Sequence, residues 1–193
     1  MRRLSRAESQ AQTRELLIQT ARRLFVSDGF LGTSLEKVAA EAGYSKGAVY
    51  SNFRNKDELC TTVLDEVRAQ RIGEVVEMMA QADTPARIEA LRDWAERVIG
   101  DPGWTTLEVE FAVHARRNAE LRSELAGRVD AILQMLATAA ESAENADLKM
   151  PGRETATAML ALGIGLGLLR SIDPAIPVNG LIDTLRLVSG QPL

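Results

Sequence analysis

The stretch from Thr33 to Lys56, TSLEKVAAEAGYSKGAVYSNFRNK, constrains the fold of this chain more than any other part of it. Its first half places apolar residues at the i, i+3, i+4 and i+7 positions of one helix face. These residues are Leu35, Val38, Ala39 and Ala42. Thr33 and Glu36 have the spacing of a capping box, and Gly43 is suited to end the helix. We therefore predict a short helix that begins near Ser34.

A second short helix is predicted after the turn at residues 43–44. Ser45 is suited to cap this helix, and Val49 and Phe53 lie four residues apart on its inner face. The outward face carries Lys46, Gly47 and Tyr50. Two short helices around a glycine turn form a helix-turn-helix, whose second helix fits the major groove of B-DNA. We predict such a DNA-binding motif over about residues 34–53.

Several residue types in this stretch suit contact with DNA. Ser45 and Gly47 allow a close approach of the backbone, and Lys46 supplies positive charge. Tyr50 offers a hydroxyl group and a ring that can contact a thymine methyl. Asn55 and Glu58 predict another helix start beside Lys56, where we expect amide groups to hold a DNA phosphate.

The pattern resembles the TetR/AcrR family of bacterial transcriptional repressors over about residues 13–60. The matching positions are Leu24-Phe25, Asp28-Gly29-Phe30, Thr33-Ser34, Ala39, Ala42-Gly43, Ser45-Lys46-Gly47, Val49-Tyr50, Asn52-Phe53, Lys56 and Glu58-Leu59. The resemblance implies DNA contact for Thr33, Ser45, Lys46, Gly47, Tyr50 and Lys56. A phosphate-contacting His of the family is replaced here by Asn52, which can donate the same hydrogen bond without a charge.

The whole chain reads as an all-α protein of about nine helices, because no segment of its 193 residues alternates as a strand does. We expect a flexible basic arm over residues 1–12 and a helix-turn-helix DNA-binding domain over residues 13–58. The resemblance implies a ligand-binding and dimerisation domain over residues 59–193. It also implies homodimers that pair through the last two helices. The eighth predicted helix, residues 151–169, is apolar nearly all round, so we expect it to be buried, with a second subunit as part of its cover.

The charge is divided unevenly along the chain. Residues 1–60 carry ten Lys or Arg against seven Asp or Glu, a net charge of +3. Residues 61–193 carry thirteen against twenty, a net charge of −7. Because the acidic part would be repelled by DNA, this division favours docking through the basic end that contains the helix-turn-helix.

An apolar ligand pocket is the expected site of regulation, as the resemblance implies. Its candidate lining residues are Met78, Met79, Leu91, Trp94, Trp104, Leu107, Phe111, His114 and Met135. The alternative is that these residues only fill a helical core. Glu108, Glu110 and His114 are candidates for polar ends of the pocket, and an inward-facing Glu would favour a cationic ligand.

Other classes of function fit the sequence less well. One His and one Cys form neither a metal cluster nor a nucleophile–base pair, so we expect no catalysis and no metal. Glycines 163, 165 and 167 lack a preceding strand, so we expect no nucleotide cofactor. The longest uncharged run has 15 residues and no signal sequence is evident, which favours the cytoplasm.

The expected function is that of a homodimeric repressor that binds a pseudo-palindromic double-stranded DNA operator. A small apolar ligand would release it. A helical protein-interaction adaptor and a ligand-independent activator remain the alternatives.

Overall fold

The computed structural model describes residues 5–80, 84–142 and 148–190. Within these residues the chain forms nine helices and no strand, which confirms the all-α prediction. The helices are α1 (Arg6–Gly32), α2 (Leu35–Glu41), α3 (Lys46–Tyr50), α4 (Lys56–Met79), α5 (Thr84–Val98), α6 (Pro102–Ala115), α7 (Ala119–Ser142), α8 (Gly152–Ile172) and α9 (Asn179–Val188).

The chain divides into two compact units. The first unit comprises Met1–Arg68 and Thr106–His114, and the second comprises Ala69–Thr105 and Ala115–Leu193. Both α4 and α6 therefore contribute residues to both units. This division differs from the predicted boundary at residues 58–59, because α4 continues without a break through that point and a segment of α6 joins the first unit.

The first unit is built on α1, α2 and α3 with the first half of α4 and the second half of α6. Its fully buried large side chains are Leu17, Phe25, Phe30, Val38, Val49, Phe53, Leu59, Val63, Leu64, Leu107 and Phe111. The apolar positions predicted for the helix-turn-helix thus all lie in this core, apart from the partly exposed Ala42.

Helix α1 begins at Arg6, within the segment that we predict to be a flexible arm. Ser5 and Glu8 form a capping box, in which the Ser5 amide donates to Glu8 Oε2 at 2.7 Å and the Glu8 amide donates to Ser5 Oγ at 3.2 Å. The predicted flexible arm over residues 1–12 is therefore wrong for residues 6–12, and residues 1–4 lie outside the described part. A capping box can start a helix in a segment that has no apolar stripe. The prediction relied on the apolar stripe and therefore placed residues 6–12 in the arm.

The end of α1 changes the predicted cap of α2. Gly29 interrupts α1 with a φ of 75°, a backbone conformation that a residue with a side chain would adopt only under strain. The Thr33 hydroxyl lies within hydrogen-bond distance of two carbonyl oxygens of α1, that of Gly29 at 2.9 Å and that of Leu24 at 3.2 Å. Ser34 caps α2 instead, since its Oγ accepts from the amide of Lys37. The predicted Thr33–Glu36 capping box is therefore wrong.

In the second unit, α7 packs against α8, and α9 packs against both α5 and α8. Its buried core consists of Ile88, Leu91, Ala95, Leu166, Val178, Leu181 and Ile182. From the sequence we predict helices over about residues 56–79 and 179–188, and these bounds agree with α4 and α9.

Helix α8 is only partly covered in the single chain. It buries Leu166, Gly167 and Arg170, but Ile164 and Ile172 are 58% and 79% exposed. By length and composition α8 could cross a membrane, although a core helix of a soluble protein passes the same test, and 22% of the relevant stretch is buried in the single chain. Its own chain covers this helix on one side, and its cover by a second subunit stays a prediction.

Candidate nucleic-acid interface

Helix α3 presents the two faces that the sequence predicts. Ser45 caps the helix by accepting from the amide of Ala48 at 3.2 Å, and Gly43 makes the preceding turn with φ of 74°. Val49 and Phe53 are 0% and 1% exposed. Residues on the other side are exposed, namely Ser45, Lys46, Gly47 and Tyr50. Helix α3 ends at Tyr50, and Phe53 follows in the turn toward α4.

Glu36 of α2 lies directly beside the exposed face of α3. The Tyr50 hydroxyl donates to Glu36 Oε1 at 3.3 Å, and Lys46 Nζ lies 3.8 Å from the same oxygen. The pKa of Glu36 is lowered, first by a hydrogen bond from its own backbone amide and then by the charge of Lys46. The negative charge of Glu36 raises the pKa of Tyr50. The sequence assigned Glu36 only to a helix cap, because its approach to α3 depends on how the two helices pack.

Asn52 is half-buried and participates in the structure of the turn after α3. Its side-chain amide donates to the Ala48 carbonyl at 2.8 Å, and its backbone carbonyl accepts from Arg14 Nη1 at 2.8 Å. The Arg14 guanidinium also lies 4.3 Å from the centre of the Phe53 ring, a cation–π geometry. Arg14 thereby ties α1 to the turn after α3.

Two of the predicted DNA contacts are used inside the first unit instead. Thr33 is 2% exposed, and both of its hydroxyl contacts are internal carbonyl groups. Lys56 Nζ donates to the carbonyls of Phe30 at 2.9 Å and Thr33 at 3.1 Å, and lies 4.1 Å from the centre of the Phe30 ring. The structure thus contradicts side-chain contact with DNA for Thr33. It commits the ammonium group of Lys56 to the end of α1.

Comparison with known proteins identifies the family to which this motif belongs. A family profile described as "Bacterial regulatory proteins, tetR family" matches residues 17–62, from α1 through the helix-turn-helix into α4. The HTH-type transcriptional regulator AcrR of Shigella flexneri is 36% identical over 85 residues, which cover 44% of this chain. The chain thus carries the helix-turn-helix region of the TetR/AcrR family of bacterial transcriptional regulators.

The match to AcrR spans 38% of that protein's length. More extended similarity has lower identity: the nicotine-responsive transcriptional repressor HdnoR of Paenarthrobacter nicotinovorans is 27% identical over 176 residues, 88% of this chain and 89% of that protein. The crystal structure of reduced NemR from E. coli superposes with a TM-score of 0.73 over 94% of this chain and 100% of that chain. At 23% identity this likeness shows the TetR/AcrR fold alone.

The predicted ligand-lining residues divide between the two units. In the second unit, Leu91 is buried in the core and Met78, Met79 and Trp94 pack against it. Trp104 is 5% exposed, whereas Met135 is 52% exposed. The indole nitrogen of Trp94 donates to Glu74 Oε2 at 2.8 Å.

The remaining three candidates, Leu107, Phe111 and His114, belong to the first unit. The Phe30 ring lies 5.1 Å from the ring of Phe111 and 4.8 Å from that of His114, measured between ring centres. His114 Nε2 lies 3.0 Å from Asp57 Oδ1 at the start of α4. Phe111 and His114 therefore pack against α1 and α4, and Leu107 is buried in the same unit.

The two carboxylates proposed as polar ends of a ligand pocket are also paired within the first unit. Glu108 Oε1 lies 3.1 Å from Arg68 Nε. Glu110 Oε2 accepts from the amide of Phe30 at 2.7 Å, the amide that follows the kink at Gly29. Glu110 thus satisfies a backbone donor that the interruption of α1 leaves without a helical partner.

The described residues contain no group of three or more His, Cys, Asp or Glu side chains that could hold a metal ion. Cys60, the single cysteine, is 0% exposed in the core of the first unit. Burial, followed by the charge of Asp57, raises the pKa of its thiol far above the ordinary range. This environment disfavours the thiolate that reacts with oxidants and metals.

Proposed function

We propose that this chain is a homodimeric transcriptional repressor that binds a pseudo-palindromic DNA operator through α3. The observation that carries the proposal is the outward face of α3, where Lys46, Gly47 and Tyr50 are exposed while Val49 and Phe53 anchor the helix. Small, basic and aromatic groups on a short helix suit an approach to phosphates and base edges. The contact set that we propose is Ser45, Lys46, Gly47 and Tyr50, with Asn52 at its border.

The charge distribution supports the same face. The first 60 residues carry a net charge of +3, against −7 for the remainder. A basic end on an otherwise acidic protein orients its approach to a polyanion. Within the proposed function, residues from α1 to the start of α4 form the DNA-binding domain, and the remainder serves ligand binding and dimerisation.

Dimerisation is proposed to occur through α8 and α9. Exposed aliphatic side chains along these helices are Leu162, Ile164, Leu168, Leu169, Ile172 and Leu187. The space beside Gly163 is open, since nothing lies within 4 Å of the position that a Cβ atom would occupy there. A second helix could therefore approach the backbone of α8 closely. Several large aliphatic side chains exposed on neighbouring helices are typical of a protein–protein interface. A two-fold dimer would present two copies of α3 to successive major grooves.

Regulation by a small apolar ligand is proposed for the second unit, around Met78, Leu91 and Trp94. Flexible methionines beside an aromatic ring adapt readily to apolar molecules. The name of the relative HdnoR records a response to nicotine, which supports ligand control in a protein of similar length. Such a ligand would act by binding the released conformation more tightly than the DNA-bound one. The proposed location is the cytoplasm, where the chromosome of a bacterium is accessible.

Selection of bound sequences from a random DNA pool tests the DNA-binding proposal. We expect an enriched two-fold symmetric site and a footprint whose half-sites lie about 34–36 Å apart. Absence of any enriched sequence would contradict the DNA-binding function. Enrichment of a single asymmetric half-site would contradict the dimeric arrangement instead.

The effector proposal has its own test. Titration of apolar and cationic small molecules should change the fluorescence of Trp94 and release a labelled operator over the same concentration range. The Trp94→Phe variant serves as the control, since the remaining indole at Trp104 then reports any fluorescence change that does not depend on Trp94. Release without a Trp94-dependent signal would place the ligand elsewhere.

A further inference from the structure

The hydroxyl of Tyr50 has only one proton, and it donates this proton in a hydrogen bond to Glu36. A tyrosine hydroxyl donates one hydrogen bond and can accept others through its oxygen. In the structure Tyr50 donates to Glu36 Oε1, while its side chain remains 53% exposed on the outward face of α3. The oxygen of Tyr50 therefore faces outward as an acceptor and not as a donor.

The carboxylate of Glu36 is also an acceptor. Its pKa is lowered, so it is ionised at neutral pH and has no proton to offer. Lys46 lies 3.8 Å from the same oxygen, but both side chains are well exposed, at 69% for Lys46 and 43% for Glu36. Exposed ion pairs contribute little to stability, so Lys46 can leave Glu36 and bind a DNA phosphate. Glu36 continues to accept the hydrogen bond from Tyr50.

We propose that Glu36 determines the sequence specificity of this regulator by taking the hydroxyl donation of Tyr50, so that the Tyr50 oxygen is left as an acceptor that selects an exocyclic amino group. In the major groove these donors are N4 of cytosine and N6 of adenine. The keto edges of guanine and thymine would instead meet an acceptor with another acceptor. This inference rests on the proposed DNA-binding function, and it names the base chemistry that α2 and α3 read together.

The alternative is that Glu36 has a structural role only, in which its carboxylate accepts from its own backbone amide and stabilises the start of α2. That role affects folding but carries no information about bases. A substitution that keeps the shape of the side chain separates the two roles. Gln in place of Glu36 can donate to the Tyr50 oxygen, which frees the tyrosine proton for an acceptor on the DNA.

Glu41 provides a matched control on the same helix. Its carboxylate is paired with Arg23 at 3.0 Å and its side chain is 48% exposed, close to the 43% of Glu36. Glu36→Gln and Glu41→Gln remove the same charge from α2. Any general gain in affinity for the DNA polyanion should therefore appear in both variants.

The experiment selects DNA sequences with the wild type, Glu36→Gln, Glu41→Gln and Tyr50→Phe, followed by anisotropy titrations with single base-pair changes. We expect the wild type to prefer adenine or cytosine over guanine or thymine at one position of each half-site, by roughly five- to ten-fold. Glu36→Gln should shift that position toward guanine or thymine, and Tyr50→Phe should flatten it. Glu41→Gln should leave the preference unchanged.

Two outcomes would overturn the inference in distinguishable ways. If the wild type enriches a site but Glu36→Gln keeps the wild-type preference at every position, the inference fails and the proposed function stands. If the wild type enriches no sequence, the proposed function fails and this inference fails with it. Should Glu36→Gln lose its helical circular dichroism, Tyr50→Phe decides, because retention of the amino-group preference without the hydroxyl would overturn the inference.

Discussion

Helices α3 and α8 each leave one face uncovered in the single chain, but the two faces differ in chemistry. The short α3 exposes Lys46, Gly47 and Tyr50 on one face, and its opposite, apolar face is buried. The 21-residue α8 exposes Leu162, Ile164, Leu168, Leu169 and Ile172. The lysine ammonium and the tyrosine hydroxyl are well hydrated, and they suit contact with a hydrated polyanion. Aliphatic side chains, in contrast, are stabilised when another apolar surface covers them. An exposed face thus indicates the chemistry of its partner.

The two helices also differ in what holds them. Phe53 beneath α3 is 1% exposed and meets the Arg14 guanidinium, while Ile164 on α8 is 58% exposed. Helix α3 therefore depends on its own unit for its position, and the outer face of α8 contributes little to the stability of the single chain.

The largest expected effect is the loss of the anchor of α3. Phe53→Ala should lower the free energy of unfolding by about 3–5 kcal/mol, because it removes a buried ring and leaves a cavity. Urea denaturation followed by circular dichroism measures the change. Tyr50→Ala on the outer face is the control and should cost less than about 1 kcal/mol. Equal stability of the Phe53→Ala variant and the wild type would contradict the assignment of the inner face.

The next effect concerns the face of α8. Ile164→Asp should weaken dimerisation by about 2 kcal/mol or more, because a carboxylate would be buried in an apolar interface. Light scattering should then show the 21.0 kDa monomer in place of a species of twice that mass. Leu31→Asp, at a residue of the first unit that is 74% exposed, is the control and should leave the mass unchanged. A wild type that is monomeric at all concentrations would contradict the comparison.

A third prediction separates two lysines. Lys56→Ala should destabilise the chain by about 1–3 kcal/mol, since it removes the donor to the Phe30 and Thr33 carbonyls and the cation over the Phe30 ring. Lys46→Ala should leave stability unchanged and reduce the slope of log affinity against log salt by about 1. Thermal melts and salt titrations of operator binding measure the two. The reverse result would return Lys56 to the DNA face.

The smallest effect is a change in acid sensitivity near α3. Glu58 accepts from the Arg54 amide at 2.8 Å, and this bond, with the Arg54 side chain, lowers the pKa of Glu58 below its ordinary value of 4.5. A lowered pKa adds stability that is fully present above about pH 4.5 and is lost as the pH falls through the folded pKa. Glu58→Gln should therefore flatten the dependence of melting temperature on pH below 4.5, with Glu41→Gln as an exposed control. A steeper dependence would contradict the assigned sign.

Local signals predicted much of this fold. The bounds of α4 and α9 and the caps at Ser45 and Asn55 follow from residues no more than a few positions apart. The errors arose where another segment intervened. Thr33 has the sequence of a helix cap, but its hydroxyl is hydrogen-bonded to α1, where the Gly29 carbonyl lies 2.9 Å away. The ligand candidates on α6 have one apolar period, yet Phe111 and His114 pack against Phe30.

By itself the sequence determined the all-α class, the helix-turn-helix and the family, because caps, glycine turns and apolar periods act within about one or two helical turns. Only the tertiary structure decided which polar groups remain available to a partner. Lys56 is committed to carbonyls 26 and 23 residues away, Glu110 to an amide 80 residues away, and Glu36 to the Tyr50 hydroxyl 14 residues away. The reason is that such hydrogen bonds join segments that meet only after the helices have packed, and no spacing within one helix encodes them.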